Sequence, residues 1–411
     1  MYLKETISNP IHLTANEKTN FVNVENTLLK IYGQEYFPVK VKSNVRQTNQ
    51  CHWQDVRLLG LDVIHPYESG STLFMIYNND DELVSQFLNL WSLNRDDTIL
   101  YPDINMILPW KFIAKYILDL NATPKDLYFW TLLNHFSMDE LEKSKLTEFC
   151  NPSYEEELLE YCRRPKRTIM EILQDFKESI KSFKIEYIFQ LIPRIKPREF
   201  SIASSAKMGN HLEILASIVS FKTTMKIQRK GACTAFLEKL ENNDTVFISL
   251  TKTCQFPLYN SVLITKPLIL VSTGVGCATF RGIIYDRYVD DRATYIFFGC
   301  RRRDLDFYFE TFWKKVEQSK NIHIFYAFSR ENEKKVYVQN LLLEKSSLLY
   351  DIIVKQNGAV FISGKAKQMP TEISNSILQI IKDFGNIKLE KAKQYLSYME
   401  FKNKYQTKTW N

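Results

Sequence analysis

From Pro267 onward the chain alternates short apolar runs, at residues 268–272, 294–298, 322–327 and 359–362, with stretches of helical periodicity. Runs like these have no polar face, so each strand needs cover on both sides, and the intervening helices supply it. The pattern predicts a parallel, doubly wound α/β sheet. Its first strand, Leu268-Ile269-Leu270-Val271, runs into Ser272-Thr273-Gly274-Val275-Gly276 and then a helix. A glycine turn in that position lets backbone approach a phosphate at the helix N-terminus, although Gly-x-Gly alone is a weak signal.

The preceding residues obey different rules. Over 36–77, β-branched and aromatic residues alternate with polar ones between the turn residues Pro66 and Ser69-Gly70, predicting strands. Over 82–190 leucines recur at helical spacing, in the segments 81–93, 110–120, 124–135, 154–161 and 168–176, so a mostly helical block interrupts the strands. Short strands return over 191–255. Residues 1–35 are polar and weakly patterned and read as a linker. The expected division is therefore a linker at 1–35, a first domain at 36–266 with its helical insert at about 82–190, and a second domain at 267–411.

Bulk properties exclude several classes. The 54 basic and 47 acidic residues leave a formal charge of +7, which suggests an acidic partner or phosphate-bearing ligands, although a net charge this small for the length usually means only solubility. The seven cysteines are scattered without CxxC spacing, so neither a zinc site nor a disulfide framework is indicated, and a reducing cytoplasmic location is expected. No metal, nucleic-acid partner or membrane anchor is expected, because the N-terminus lacks a signal-like apolar run and no segment approaches the length of a membrane span.

Four segments carry the chemistry, in this order: Pro197-Arg198-Glu199-Phe200-Ser201-Ile202-Ala203-Ser204-Ser205; Arg229-Lys230-Gly231-Ala232-Cys233-Thr234; Phe298-Gly299-Cys300-Arg301; and Ser329-Arg330-Glu331 followed by Lys335-Val336-Tyr337-Val338-Gln339. Their order and spacing resemble the FAD/NADPH half of diflavin reductases of the ferredoxin–NADP reductase superfamily. The resemblance runs from about residue 36 to the C-terminus. Cys51-His52-Trp53-Gln54-Asp55-Val56-Arg57, Tyr161-Cys162-Arg163-Arg164-Pro165-Lys166-Arg167-Thr168, Phe200 and the tail Tyr405-Gln406-Thr407-Lys408-Thr409-Trp410 resemble the branch that supplies electrons to anamorsin in cytosolic iron–sulfur assembly.

The resemblance implies a flavin-reductase antiparallel β-barrel with an inserted helical subdomain, followed by an NADP-binding domain. It implies FAD contacts at Lys166, Arg198, Glu199, Phe200, Ser201, Gly231, Ala232, Cys233, Thr234 and Trp410, with Ser201 and Trp410 at the reacting face. NADP contacts are implied at Gly274, Val275, Arg301, Ser329, Arg330, Lys335, Val336, Tyr337, Val338, Gln339 and Glu372. Chemistry agrees with these assignments: Arg198 and Phe200 share one face of a strand, so a guanidinium can meet pyrophosphate while a ring lies against isoalloxazine. Likewise, Gly231 to Thr234 ahead of a helix presents N–H groups and a hydroxyl to phosphate, and the cations Arg330 and Lys335 suit a 2′-phosphate. Blander readings stand beside them: a half-buried strand, a loop glycine, solvated charge runs and a frayed C-terminal Trp.

Departures from the family pattern are specific. Ser272, Thr273, Val275 and Thr279 stand where Gly, Pro, Thr and Pro are expected in the glycine turn. Ser71 replaces the Asp after Tyr67-Glu68-Ser69-Gly70, Lys408 replaces the acidic residue before the terminal Trp, and Ser363 and Lys365 flank Gly364 where microsomal relatives have Cys and Asp. The implied activity is electron flow from NADPH through FAD to an FMN domain and on to an anamorsin-type iron–sulfur protein. That FMN domain is expected to come from a separate protein or from a part missing here, since nothing before residue 36 could form a flavodoxin-like sheet. The rival is a degenerate scaffold that retains the fold and acts through partner binding.

Overall fold

The computed structural model describes residues 23–33, 35–209, 211–251, 256 and 265–410. Strands β1 (Phe37–Arg46), β2 (Val56–Asp62) and β3 (Thr72–Ile76) precede a helical block that contains the hairpin of β4 (Thr98–Tyr101) and β5 (Met106–Pro109). Then come β6 (Arg198–Ser201), β7 (Leu212–Ser217), the hairpin of β8 (Ser220–Lys222) and β9 (Gln228–Lys230), the helix Ala232–Lys239 and β10 (Thr245–Leu250). Six of these strands form an antiparallel sheet in the order β6-β3-β10-β1-β2-β7. The sheet closes on itself: Ile202 bridges Ile214 antiparallel, and the Ala203 amide donates to the Glu213 carbonyl at 2.7 Å. Inward-facing Val41, Leu59, Leu73, Ile202, Ile214 and Ile248 fill the barrel.

The second sheet is parallel throughout, in the order β13-β12-β11-β14-β15, from β11 (Leu268–Thr273), β12 (Thr294–Cys300), β13 (Ile322–Phe328), β14 (Ala359–Lys365) and β15 (Tyr405–Trp410). Its central strands are buried along nearly their whole length, and helices pack on both faces. The expected barrel, helical insert and doubly wound sheet are thus all present. Among the described residues no helix is long and apolar enough to cross a membrane.

Three elements differ from the sequence expectation. Within the segment read as a linker, Val24–Tyr32 forms an amphipathic helix whose N-terminus is capped by the Asn23 side chain and whose Leu28 and Ile31 enter the core of the helical block. Glu140–Cys150 is helical although it is mostly polar, since it buries only Leu146 and Phe149. The C-terminal residues, for which no strand is expected from the sequence, form β15.

The two halves meet along helix Cys277–Val289, which follows the glycine turn. Arg281 pairs with Glu213 of the barrel, with both side chains largely buried, and stacks over the Phe309 ring at 4.4 Å. Asp286 accepts from the Ser205 hydroxyl, and Asp290 pairs with Lys207 at 2.9 Å. Gly282 permits this approach, because a Cβ there would overlap the Ser204 carbonyl oxygen. Removing one member of a largely buried pair strands the other, at a cost of about 3 kcal/mol. Glu213→Leu should therefore lower the urea midpoint markedly, and Arg281→Met in the same chain should restore most of it. Equal, additive losses in a double-mutant cycle would show that the pair is not coupled.

Candidate functional site

Strand β6 pairs with β3, setting Ser201 opposite Thr72, Phe200 opposite Leu73 and Arg198 opposite Met75. Arg198 is exposed, with its guanidinium 5.5 Å from the Tyr77 ring centroid. Tyr77 is buried and donates its hydroxyl to Asp119 Oδ2 at 3.3 Å, while Asp119 Oδ1 is buried without a hydrogen-bond partner. Burial holds the Asp119 carboxyl above the usual carboxylate range, although the Arg198 charge opposes that shift. Phe200 packs on the small cluster of Tyr77, Ile195 and Cys233, together with Ala232. The structure therefore brings β6 against the first turn of helix Ala232–Lys239, although Phe200 and Ala232 lie 32 positions apart in the sequence.

That helix begins at Gly231 with no side-chain cap, so its first-turn amides are open to an anion. The Thr234 hydroxyl is engaged within the turn itself. It donates to the Gly231 carbonyl at 3.1 Å and accepts from the Val219 amide at 3.0 Å. Burial pushes the Cys233 thiol up to about 12, which keeps it a neutral packing group. Lys166 takes a left-handed conformation in a turn, with a φ of 53°. Arg229 ties that turn to the barrel, donating to the Pro165 carbonyl at 2.9 Å and pairing with Glu171 at 2.7 Å. A cleft of about 410 Å³ opens between barrel and insert, lined by Asn79, Asn121, Thr168, Arg229, Ala232 and Lys239 among others. Open amides, an exposed guanidinium and a polar cleft are what an elongated diphosphate ligand such as FAD requires, so the residues fit the group.

The C-terminal strand reaches the same place from the other domain. β15 pairs with β14, with Lys408 beside Ser363 and Trp410 beside Lys365, and the Ala366 amide donates to the Trp410 carbonyl at 2.8 Å. Lys408 leaves the sheet to donate to Thr72 Oγ1 at 3.0 Å and to pair with Glu199 at 3.4 Å. Thr72 is the residue opposite Ser201, so Ser201, Glu199 and the strand bearing Trp410 converge.

On the dinucleotide side, β11 enters a tight turn at Gly274–Gly276 and then helix Cys277–Val289. Gly274 takes a φ of 54°, and a Cβ on Gly276 would overlap the Ser363 carbonyl oxygen. Val275 lies against the core of that helix. Two departures from the family pattern meet here: the buried Ser363 hydroxyl donates to the buried Thr279 hydroxyl at 3.1 Å. Ser71 finds no such partner, since its hydroxyl is buried and unpaired.

Beyond the ends of β12 and β13, the Arg330 amide donates to the Arg301 carbonyl at 2.9 Å and the Ser329 amide donates to the Cys300 carbonyl at 3.0 Å. The Arg330 guanidinium donates to the Tyr337 hydroxyl at 3.4 Å, and Lys335 is exposed nearby in sequence. Val336 and Val338 serve packing: Val336 lies against the core and Val338 is buried within it, beside Gly299. Gln339 donates to Glu372 at 2.6 Å, joining two helices at this edge. Sequence reading had assigned no role to Tyr77, Asp119 or Trp53. Tyr77 and Asp119 carry no local signal, because only folding sets them beside Arg198. Trp53 was visible only as part of a family marker.

Barrel, insert and dinucleotide sheet with this paired site define a flavin reductase of the ferredoxin–NADP reductase type. The FAD binding domain family matches residues 33–236, and the oxidoreductase NAD-binding domain family matches residues 270–374. The chain is 33% identical over 397 residues to NADPH-dependent diflavin oxidoreductase 1 of Mus musculus and 34% identical over 394 residues to that of Danio rerio, covering 91% of this chain and 65% of each relative. The Candida albicans protein of the same name is 31% identical over 411 residues, covering 94% of this chain and 68% of the relative. The chain belongs to the NADPH-dependent diflavin oxidoreductase family, with an FAD-binding and an NAD-binding domain. It spans about 65% of the length of the mouse and zebrafish relatives.

One prediction tests the cation assignment. A charge-assisted hydrogen bond contributes roughly 1.5 to 3 kcal/mol, so Arg330→Ala should weaken NADPH by about tenfold to a hundredfold and leave NADH nearly unchanged. Titration of both nucleotides checks it, and equal losses would remove Arg330 from the 2′-phosphate site.

Proposed function

We propose that this chain takes hydride from NADPH onto bound FAD and passes the electrons singly to an FMN-binding, flavodoxin-like domain or protein, and then to an anamorsin-type iron–sulfur protein. The observation that carries the reading is the convergence of β6, the Gly274 turn and β15 at the barrel–sheet boundary. There the reacting ends of both cofactors would meet, and hydride transfer depends mainly on such positioning. FAD, when bound, supplies the exchange between two-electron and one-electron chemistry. The protein holds everything else in place.

In this scheme Arg198 and the first-turn amides at Gly231 grip the flavin diphosphate, with Lys166 closing its other side. Phe200 supports the ring system, and Ser201 stands beside the position that receives hydride. Arg330, Lys335, Ser329 and Tyr337 hold the 2′-phosphate, while Arg301 faces the remaining phosphates. Trp410 occupies the face that nicotinamide must enter, so part of the NADPH binding energy is used to displace it. The relatives are called diflavin oxidoreductases, and that name supports an FMN partner. An acidic FMN domain would meet the exposed cations of the helical insert, where electrostatic attraction quickens brief encounters. The reducing cytosol is the compartment consistent with the unpaired cysteines.

Two outcomes test this. The purified chain should be yellow and should reduce ferricyanide with NADPH while reducing cytochrome c hardly at all. Adding a matching FMN domain should restore the cytochrome rate at low salt. A colourless protein that takes up no FAD would favour a scaffold instead.

Deleting Trp410 and Asn411 should raise the use of NADH, because displacement of the ring no longer draws on 2′-phosphate binding. An unchanged ratio of kcat/KM for NADPH and NADH would make Trp410 an ordinary edge-strand residue.

A further inference from the structure

Between β1 and β2 the barrel extends a loop, residues 47–55, onto the dinucleotide sheet. The Asn49 amide donates to the Leu305 carbonyl at 2.9 Å, and its side chain donates to the Asp304 carbonyl at 3.3 Å. The loop is held from within as well. Arg46 donates to Thr48 Oγ1 at 3.1 Å and to the His52 carbonyl at 2.8 Å, and the His52 ring is buried and accepts from the Gln54 amide. At the tip of this fixed loop Trp53 is 69% exposed. A pre-ordered loop that presents an indole to water is a feature of binding surfaces.

The indole has one cationic neighbour, Arg301, whose guanidinium carbon lies 4.7 Å from the ring centroid. Arg301 stands just past the C-terminal end of β12, in the crevice outside the strand ends where ligands of such sheets sit. Its backbone is fixed on both sides, since the amide donates to both Asp306 carboxylate oxygens at 3.0 Å and the carbonyl accepts from Arg330. Its side chain is less complete: Nη1 is buried and has no hydrogen-bond partner. A buried guanidinium N–H without an acceptor, beside a flat exposed ring and next to Arg330, lacks a phosphate oxygen on one side and a planar or ribose surface on the other.

We propose that Trp53 is a binding residue of the dinucleotide site, lent by the barrel to the other domain. Its ring holds the Arg301 guanidinium flat and covers the adenosine-phosphate half of NADPH, so nucleotide binding buries the indole and gives Arg301 Nη1 its acceptor. This deepens the NADPH reading above and rests on it. A consequence is that the nucleotide is gripped across the domain boundary, and its affinity depends on how the barrel sits against the sheet.

The test uses the FAD-loaded chain, with NADP⁺ and adenosine 2′,5′-bisphosphate as probes in calorimetry. Trp53→Ala should weaken both on the order of tenfold, Trp53→Phe should stay within about threefold of the parent, and FAD content and melting temperature should be unchanged in each. In the parent, adenosine 2′,5′-bisphosphate should quench part of the indole fluorescence, and that part should be missing from Trp53→Phe. In steady state the NADPH KM should rise while kcat with ferricyanide stays level. If Arg330→Ala loses the probes but Trp53→Ala binds them like the parent, Trp53 is a packing residue and the inference fails while the NADPH reading stands. If the parent binds neither probe, both fail.

Discussion

The largely buried Arg281–Glu213 pair fixes the barrel against the parallel sheet, and the rest of the site depends on where it holds them. Arg281 lies on the first turns of the helix that starts at the dinucleotide glycines, and Glu213 lies opposite the strand end that continues from Ser201. The segments that would touch the two cofactors are therefore the segments that make the interface. Asp286 and Asp290 add contacts to Ser205 and Lys207 along the same line. Gly282 lets the helix come close enough for these short polar contacts to form.

The substitutions that set this chain apart divide by whether the fold repairs them. Thr279 on helix Cys277–Val289 and Ser363 on β14 are both buried, and each satisfies the other through one hydrogen bond. Burying two hydroxyls costs little when they pair. Lys408 puts a cation where the family has an acid, and it is answered from the barrel by Glu199 and Thr72. The ammonium thereby becomes a tie between the last strand and the flavin strand. Ser71 is not repaired, as its hydroxyl remains buried without a partner.

Much of the architecture was legible because it rests on period. Buried parallel strands read as continuous apolar runs, and the insert reads as leucines at helical spacing. The missed elements lack such a signal. Glu140–Cys150 buries two apolar residues and is held by the partners it packs on, and Val24–Tyr32 is a nine-residue helix in a polar stretch whose two buried aliphatics make sense only against the insert. β15 is a polar edge strand that exists through its ladder with β14, a long-range property. The site motifs were found by order and spacing, whereas Tyr77 and Asp119 sit beside Arg198 only through tertiary folding.

The same distinction bears on Thr234, whose hydroxyl the fold already engages within the turn. A hydroxyl next to a glycine ahead of a helix suggests a phosphate ligand, but the residue that precedes a helix without a side-chain cap also leaves nearby backbone groups unsatisfied. Here the Val219 amide, at the edge of the β8–β9 hairpin, claims the hydroxyl first, and the Gly231 carbonyl takes its proton. The hydroxyl thus shapes the turn, and the turn presents the amides. On the proposed reading, anion recognition at this position would rest on backbone geometry that the side chain maintains. A short segment with one glycine, one small residue and one threonine could then serve that purpose without any charge of its own.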